Sequence, residues 1–160
     1  MIDIHPDLFT HEYPRLIETL RRIVTRAESS ERAHISSLIL FGSVARLTPH
    51  LNSDTDVLVL FTRVSDRAEW NSNITATLRI IRGAEDETMD ENYRWHIVPI
   101  PADAHASDLD PDFLENVARD SVLLYQRDGY TRPAPLQSLE PFADWQARVR
   151  RLLATLTPAT

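Results

Sequence analysis

Two aspartates separated by one residue, Asp54 and Asp56, lead directly into the apolar run Val57-Leu58-Val59-Leu60-Phe61. In an extended strand that spacing puts both carboxylates on one face. Magnesium prefers carboxylate, water and phosphate oxygens, so a same-face pair suits a metal-bound phosphate. Upstream, a second apolar run, Ile35 to Phe41, stops abruptly at Gly42-Ser43. Glycine lets the chain turn tightly and come close to a polyphosphate, and the Ser43 hydroxyl with amides at a helix start can donate to phosphate oxygens. Arg46 can add a charge-assisted contact. Taken singly, each feature has a plainer reading: the Asp-x-Asp as a solvated loop, the Gly-Ser as a turn, Arg46 as half of a structural ion pair.

Such residues need strands and helices to hold them. Ile35 to Phe41 fits a buried strand, and Val57 to Phe61, continuously apolar, a central strand covered on both faces. Val44 to Leu47 reads as the first turn of a helix, which Pro49 interrupts. Ahead of them, Glu12 to Glu28 carries Leu16, Ile17, Leu20, Ile23, Val24 and Ala27 at helical spacing, with Pro14 tolerated in the first turn. Behind them, Ser65 or Asp66 caps a helix with Trp70, Ile74, Leu78 and Ile81 on one side, ending near Gly83. Glu85 to Glu91 then reads as a solvated acidic turn.

Tyr93 to Ile100 is a third strand, in which His96 shares the parity of Arg94 and Val98 while Trp95 and Ile97 point the other way. Asp110-Pro111 opens a helix with Phe113, Leu114, Val117 and Ala118 inward, and Val122 to Tyr125 closes the unit as a short strand or buried extension. The fold class expected is α/β (α+β): a small mixed β-sheet flanked by helices. Residues 1–127 form the main domain, 128–137 a Gly- and Pro-containing linker, and 138–160 a C-terminal amphipathic helix. Its stripe of Phe142, Trp145, Val149, Leu152, Leu153 and Leu156 either docks on the domain's own core or meets a partner subunit.

Composition narrows the function classes. With 160 residues, 42% hydrophobic and 26% charged, the chain suits one compact domain rather than a disordered chain. It has no cysteine, which excludes disulfides, thiolate metal sites and a cysteine nucleophile. All 17 basic residues are arginine, which excludes lysine chemistry of the P-loop or Schiff-base kind. A net charge of −7 argues against bulk, sequence-independent nucleic-acid binding. No apolar run approaches the ~20 residues of a membrane span, and the first residues lack a signal-peptide layout, so a cytoplasmic location is expected. The histidines other than His96 (His5, His11, His34, His50 and His105) show no zinc-protease spacing.

Gly42-Ser43-Val44-Ala45-Arg46 followed by Ser53-Asp54-Thr55-Asp56 resembles the signature of the DNA polymerase β-like nucleotidyltransferases, specifically the minimal nucleotidyltransferase group. The resemblance covers about residues 35 to 127 and is specific only in its first part. It implies transfer of a nucleoside monophosphate, AMP from ATP foremost, to a hydroxyl of a protein or small molecule. It also implies Mg²⁺, in a one- or two-ion site, on Asp54 and Asp56, with Gly42, Ser43, Arg46 and Ser53 binding the nucleoside triphosphate. Two positions depart from the pattern. Leu47 stands where a glycine usually follows the arginine, and His96 stands where the third carboxylate of active relatives is found. A neutral imidazole can take a proton near pH 7 but is a poorer magnesium ligand. The alternative for His96 is a strand histidine hydrogen-bonded to a neighbour. The corresponding alternative function is a catalytically impaired, antitoxin-like module that binds nucleotide or a partner protein, or pairs as a homodimer through its C-terminal helix.

Overall fold

The structure, a computed structural model, describes residues 6–30, 33–49, 54–62, 64, 66–89, 93–101 and 110–156, the side chains of 6–10 and 101 excepted. Helix α1 (Pro6–Ser29) precedes strand β1 (Ile35–Phe41), the short helix α2 (Gly42–Ala45) and strand β2 (Thr55–Phe61). Helix α3 (Arg67–Thr88), strand β3 (Trp95–Pro101), helix α4 (Pro111–Ala118) and strand β4 (Val122–Gln126) follow. A 3₁₀ turn (Ala134–Leu136), a two-residue strand β5 (Glu140–Pro141) and helix α5 (Phe142–Leu156) complete the chain.

The strands form one mixed sheet in the order β3-β2-β1-β4-β5. β1 runs antiparallel to β2 and β4, while β2 and β3 run parallel, joined by α3. Alternation along the central strands sorts their side chains between two layers. Leu38, Leu40, Val57, Val59 and Phe61 belong to the larger core, with α1, α3 and α5, whereas Ile39, Leu58, Leu60 and Ile100 belong to a smaller one with Leu114 and Val117 of α4. Asp56 and His96 share the parity of Leu58 and Val98, so both side chains project on the α4 face.

Positions and parities of β1 to β4 agree with the sequence reading, and four helix boundaries differ from it: α5 begins at Phe142 rather than 138, because Glu140 and Pro141 are extended and pair with β4. α1 begins at Pro6, which puts Pro14 inside the helix, where it leaves the Thr10 carbonyl without an intrahelical donor. α2 begins at Gly42 rather than Val44, tight against the end of β1. α3 does not stop near Gly83 but runs on to Thr88, so Glu85, Asp86 and Glu87 are helical rather than a loop. Its cap is Asp66, which accepts from the Glu69 amide at 2.8 Å. Ser65, the other candidate, lies outside the described residues, as do His5, His50, Asp90, Glu91 and His105.

Packing against α1 explains the extension of α3. Glu87 accepts from Arg22 at 2.5 Å and also from Arg26, Thr88 meets Thr19, and Ala84 is fully buried. Hydrogen bonds from Arg26 and Arg22 hold the Glu87 carboxyl below its ordinary range.

The stripe of α5 faces the chain's own core. Trp145 and Val149 are fully buried, and Phe142, Leu152, Leu153 and Leu156 pack beside them. Arg21 of α1 donates to Gln146 at 3.0 Å, and Arg148 grips Glu140 through two 2.8 Å bonds, which fixes the start of the helix. Between β4 and α5, Leu136 is buried and Arg132 donates to the Leu136 and Gln137 carbonyls. Among the described residues no helix is long and apolar enough to cross a membrane.

Candidate active site

The turn after β1 is built so that backbone and carboxylate touch. Phe41 is fully extended, Gly42 then takes φ +78°, and the Arg46 amide donates to the Gly42 carbonyl at 3.1 Å. Phe41 pairs with Asp56 across the sheet, so Gly42 lies directly beside that carboxylate. A Cβ on Gly42 would come within 2.1 Å of Asp56 Oδ2, a separation no carbon–oxygen contact tolerates. Glycine is therefore demanded here twice, by the left-handed φ and by the approach of Asp56.

Asp56 is joined by a residue from the next strand. In the parallel register Asp56 pairs with His96, and their side chains meet, Nδ1 to Oδ1, at 2.8 Å. An ionised carboxylate only accepts, so the proton of that bond sits on Nδ1. The Asp56 side chain is 20% exposed and that of His96 58%, which leaves the imidazole edge open to an incoming molecule. The register rests on Thr55, whose amide donates to the Arg94 carbonyl at 2.9 Å and whose buried hydroxyl meets the Tyr93 hydroxyl at 2.5 Å. Burial pushes the Tyr93 phenol well above its ordinary value, so it stays protonated.

The other sequence candidates are placed less closely. Asp54 is exposed, one residue ahead of β2, and among the described residues no group of three metal-ligating side chains forms. Ser43 is half-buried, and its carbonyl accepts from the Thr48 amide at 2.9 Å. Arg46 is exposed at the end of α2 and forms no ion pair with a described residue. Ser53 lies outside the described residues. Leu47, at the position where the resemblance expects glycine, is buried and takes φ +62°: the backbone keeps the glycine conformation and bears the strain of a side chain in it.

Two residues outside the motif fix the turn. The Tyr13 hydroxyl of α1 donates to the Val44 carbonyl at 2.8 Å, and Trp145 Nε1 of α5 donates to the Ala45 carbonyl at 3.0 Å. The last carbonyls of a helix lack intrahelical donors, so two buried side chains from two longer helices complete a helix too short to hold itself. Burial drives the Tyr13 phenol far above its ordinary value, which keeps it a neutral donor. Nothing in the motif points to Tyr13; an aromatic in line with the stripe of α1 was the available signal. Tyr13→Phe keeps the ring and removes the donor. It is expected to cost about 1 kcal/mol in urea denaturation and to weaken nucleotide binding.

Beside Gly42, on the α4 face, a cavity of about 460 Å³ opens between Phe41, Arg46, Phe113, Asn116, Val117 and Arg119.

The nucleotidyltransferase domain family model matches residues 17–120, which span most of α1 and everything from β1 through α4. Among solved structures, the chain is similar to a toxin-antitoxin crystal structure with AMP-PNP, at 14% identity and TM-score 0.39, covering 89% of this chain and 87% of that one. It is also similar to a mutant of the toxin-antitoxin MntA-HpeT, at 13% identity and TM-score 0.41, with the same coverages. No curated protein matches the chain. Because the family model takes in well over half of the chain, including the Gly42-Ser43 turn and both aspartates, this protein belongs to the nucleotidyltransferase domain family.

Proposed function

We propose that the chain transfers a nucleoside monophosphate, AMP from ATP being the transfer its family resemblance implies, to a hydroxyl of a protein or small molecule. The observation that carries this reading is the convergence on Asp56 of Gly42, from the turn after β1, and of His96, from β3. Asp54 and Asp56 are hard oxygen donors, and no described arginine pairs with either. With one Asp56 oxygen on His96, Oδ2 remains, a donor set of the kind that takes its further ligands from substrate phosphates and water. These residues fit Mg²⁺, as one ion or two, which when bound there would neutralise charge at the α-phosphate.

In this reading Gly42 lets the polyphosphate lie against backbone, with the Ser43 hydroxyl and the Arg46 guanidinium binding oxygens of the departing pyrophosphate and Ser53 adding to that cradle. His96 Nε2 takes the proton of the acceptor hydroxyl as its oxygen attacks the α-phosphorus, and Asp56 orients the ring through Nδ1. A reaction fed by nucleoside triphosphate goes with a cytoplasmic location. Trp145 and Val149 of α5 are already buried on the chain's own core, so an acceptor protein or second copy would meet other surfaces.

One observation favours a second reading. His96 supplies a nitrogen where a third carboxylate would supply oxygen, and it occupies Asp56 Oδ1. In that case the chain binds nucleotide, or a partner protein in the manner of an antitoxin, without turnover. Labelled ATP, GTP, CTP and UTP with Mg²⁺ separate the two when pyrophosphate release is compared between parent and the Asp54→Ala/Asp56→Ala double variant. The enzyme reading expects the parent to exceed the double variant by on the order of 10³-fold. Equal backgrounds with nucleotide binding retained would leave the binding module standing. In the second reading His96→Asp is expected to lift pyrophosphate release about tenfold above that background, because it restores an oxygen donor beside Asp56, whereas a fall in turnover supports His96 as the base.

A further inference from the structure

The two aspartates sit where the sheet has least to hold them. Pairing of β2 with β1 ends at Phe41 opposite Asp56, so Thr55, the first residue of β2, has no partner on that side. On the other side it pairs with Trp95, the first residue of β3. Asp54 lies one position further out, exposed, and its carboxylate forms no ion pair with a described residue. Backbone at the end of a strand opens more readily than backbone inside it. Asp54 therefore takes its position from its chain neighbour Thr55.

Thr55 is held from beneath. Its side chain shares the parity of Val57 and Val59 and turns into the larger core, away from the face on which Asp56 projects. There Thr55 is fully buried and its hydroxyl meets the Tyr93 hydroxyl at 2.5 Å. Tyr93 is fixed in turn by Trp95, whose ring it meets edge to face with centroids 5.2 Å apart at 69°. Among the described residues neither hydroxyl has another partner. Leaving a buried hydroxyl unpaired costs more than an ordinary hydrogen bond contributes, so the two hold each other. The proposed transfer uses neither of them.

We propose that Tyr93 is a positioning residue: through the buried Thr55 hydroxyl it holds the entry of β2, and with it Asp54 and Asp56, in the arrangement a phosphate-bound divalent ion needs. This rests on the function proposed above. A carboxylate pair that is free to move has to be ordered when the ion binds, and that ordering weakens the affinity. With Thr55 tied, the pair is ordered beforehand. The α2 turn has a separate tie, from Tyr13 to the Val44 carbonyl, so different phenols hold the two halves of the site.

Calorimetric titration with MgATP and with ATP in EDTA separates the contribution of the aspartates from that of the turn. Wild-type protein is expected to bind MgATP about tenfold tighter than metal-free ATP. Tyr93→Phe and Thr55→Val are expected to cut that ratio to about threefold or less, with the affinity for metal-free ATP unchanged. Tyr13→Phe, which acts on the turn, is expected to weaken both forms alike. The double variant Tyr93→Phe/Thr55→Val replaces both hydroxyls by apolar groups of similar shape, so its urea midpoint should return toward the wild type. Its ratio should stay low, because the tie is still absent. Thr55→Ser, which keeps the hydroxyl, should keep the wild-type ratio. A wild-type ratio in Tyr93→Phe overturns the positioning role, and so does a double variant that recovers the ratio together with its stability. A loss in Tyr93→Phe that falls equally on metal-free ATP overturns it as well. A wild type that binds the two forms equally, or neither of them, overturns the proposed function itself, and the positioning role with it.

Discussion

Gly42→Ala is expected to lose both stability and nucleotidyl transfer. The added methyl meets Asp56 Oδ2 at 2.1 Å, and the backbone there holds φ +78°, so the side chain is opposed by its neighbour and by its own carbonyl geometry. A left-handed conformation costs an L-residue roughly 1–2 kcal/mol, and overpacking a fitted contact adds about 1–3 kcal/mol. Asp56 can relieve the clash only by swinging away, which also breaks its 2.8 Å bond to His96. The variant should therefore unfold at lower urea with an unchanged slope, and pyrophosphate release should fall by about 10²-fold or more. A variant with parental stability and parental turnover would show that the carboxylate does not need to lie against the turn.

Trp145→Ala is expected to give the largest stability loss of any single change. The ring is fully buried, lies 6.1 Å from both Tyr13 and Phe142, and donates to the Ala45 carbonyl. Truncating a buried tryptophan costs about 3–5 kcal/mol, a large share of the roughly 5–15 kcal/mol that holds a domain folded. The thermal midpoint should fall by about 10 °C or more. Trp145→Phe, which keeps an aromatic ring and loses the N–H, should fall between the two and separate packing from the hydrogen bond. Unchanged thermal unfolding in Trp145→Ala would mean that α5 does not pack on this core.

These two residues differ in how far each could be read beforehand. Gly42 and Asp56 were legible because motif spacing along adjoining strands is local information. The strand parities were legible for the same reason: alternation places Leu58 and Asp56 on one side and Val57 on the other whatever surrounds them. Helix ends were not. α3 passes Gly83 because Glu87 finds Arg22 and Arg26 on α1, and no window of sequence around Gly83 contains those partners. Pro14 was read as a first-turn residue because periodicity is weak before it, while the helix starts at Pro6. Trp145 was visible only as part of an apolar stripe. Its hydrogen bond to Ala45 joins residues a hundred positions apart.

By itself the sequence determined the Gly-Ser turn and the face on which Asp56 and His96 project, which follow from spacing along the strands, and its motif carried the resemblance to the family that the family model shows. Tertiary structure decided that the β2–β3 register brings His96 onto Asp56, and that Tyr13 and Trp145 complete a helix of only four residues. It also set a cavity lined by Phe113, Asn116 and Arg119 beside the turn. The reason is physical: local spacing fixes the direction of a side chain, but the partner it meets depends on which elements pair and pack across long separations in the chain.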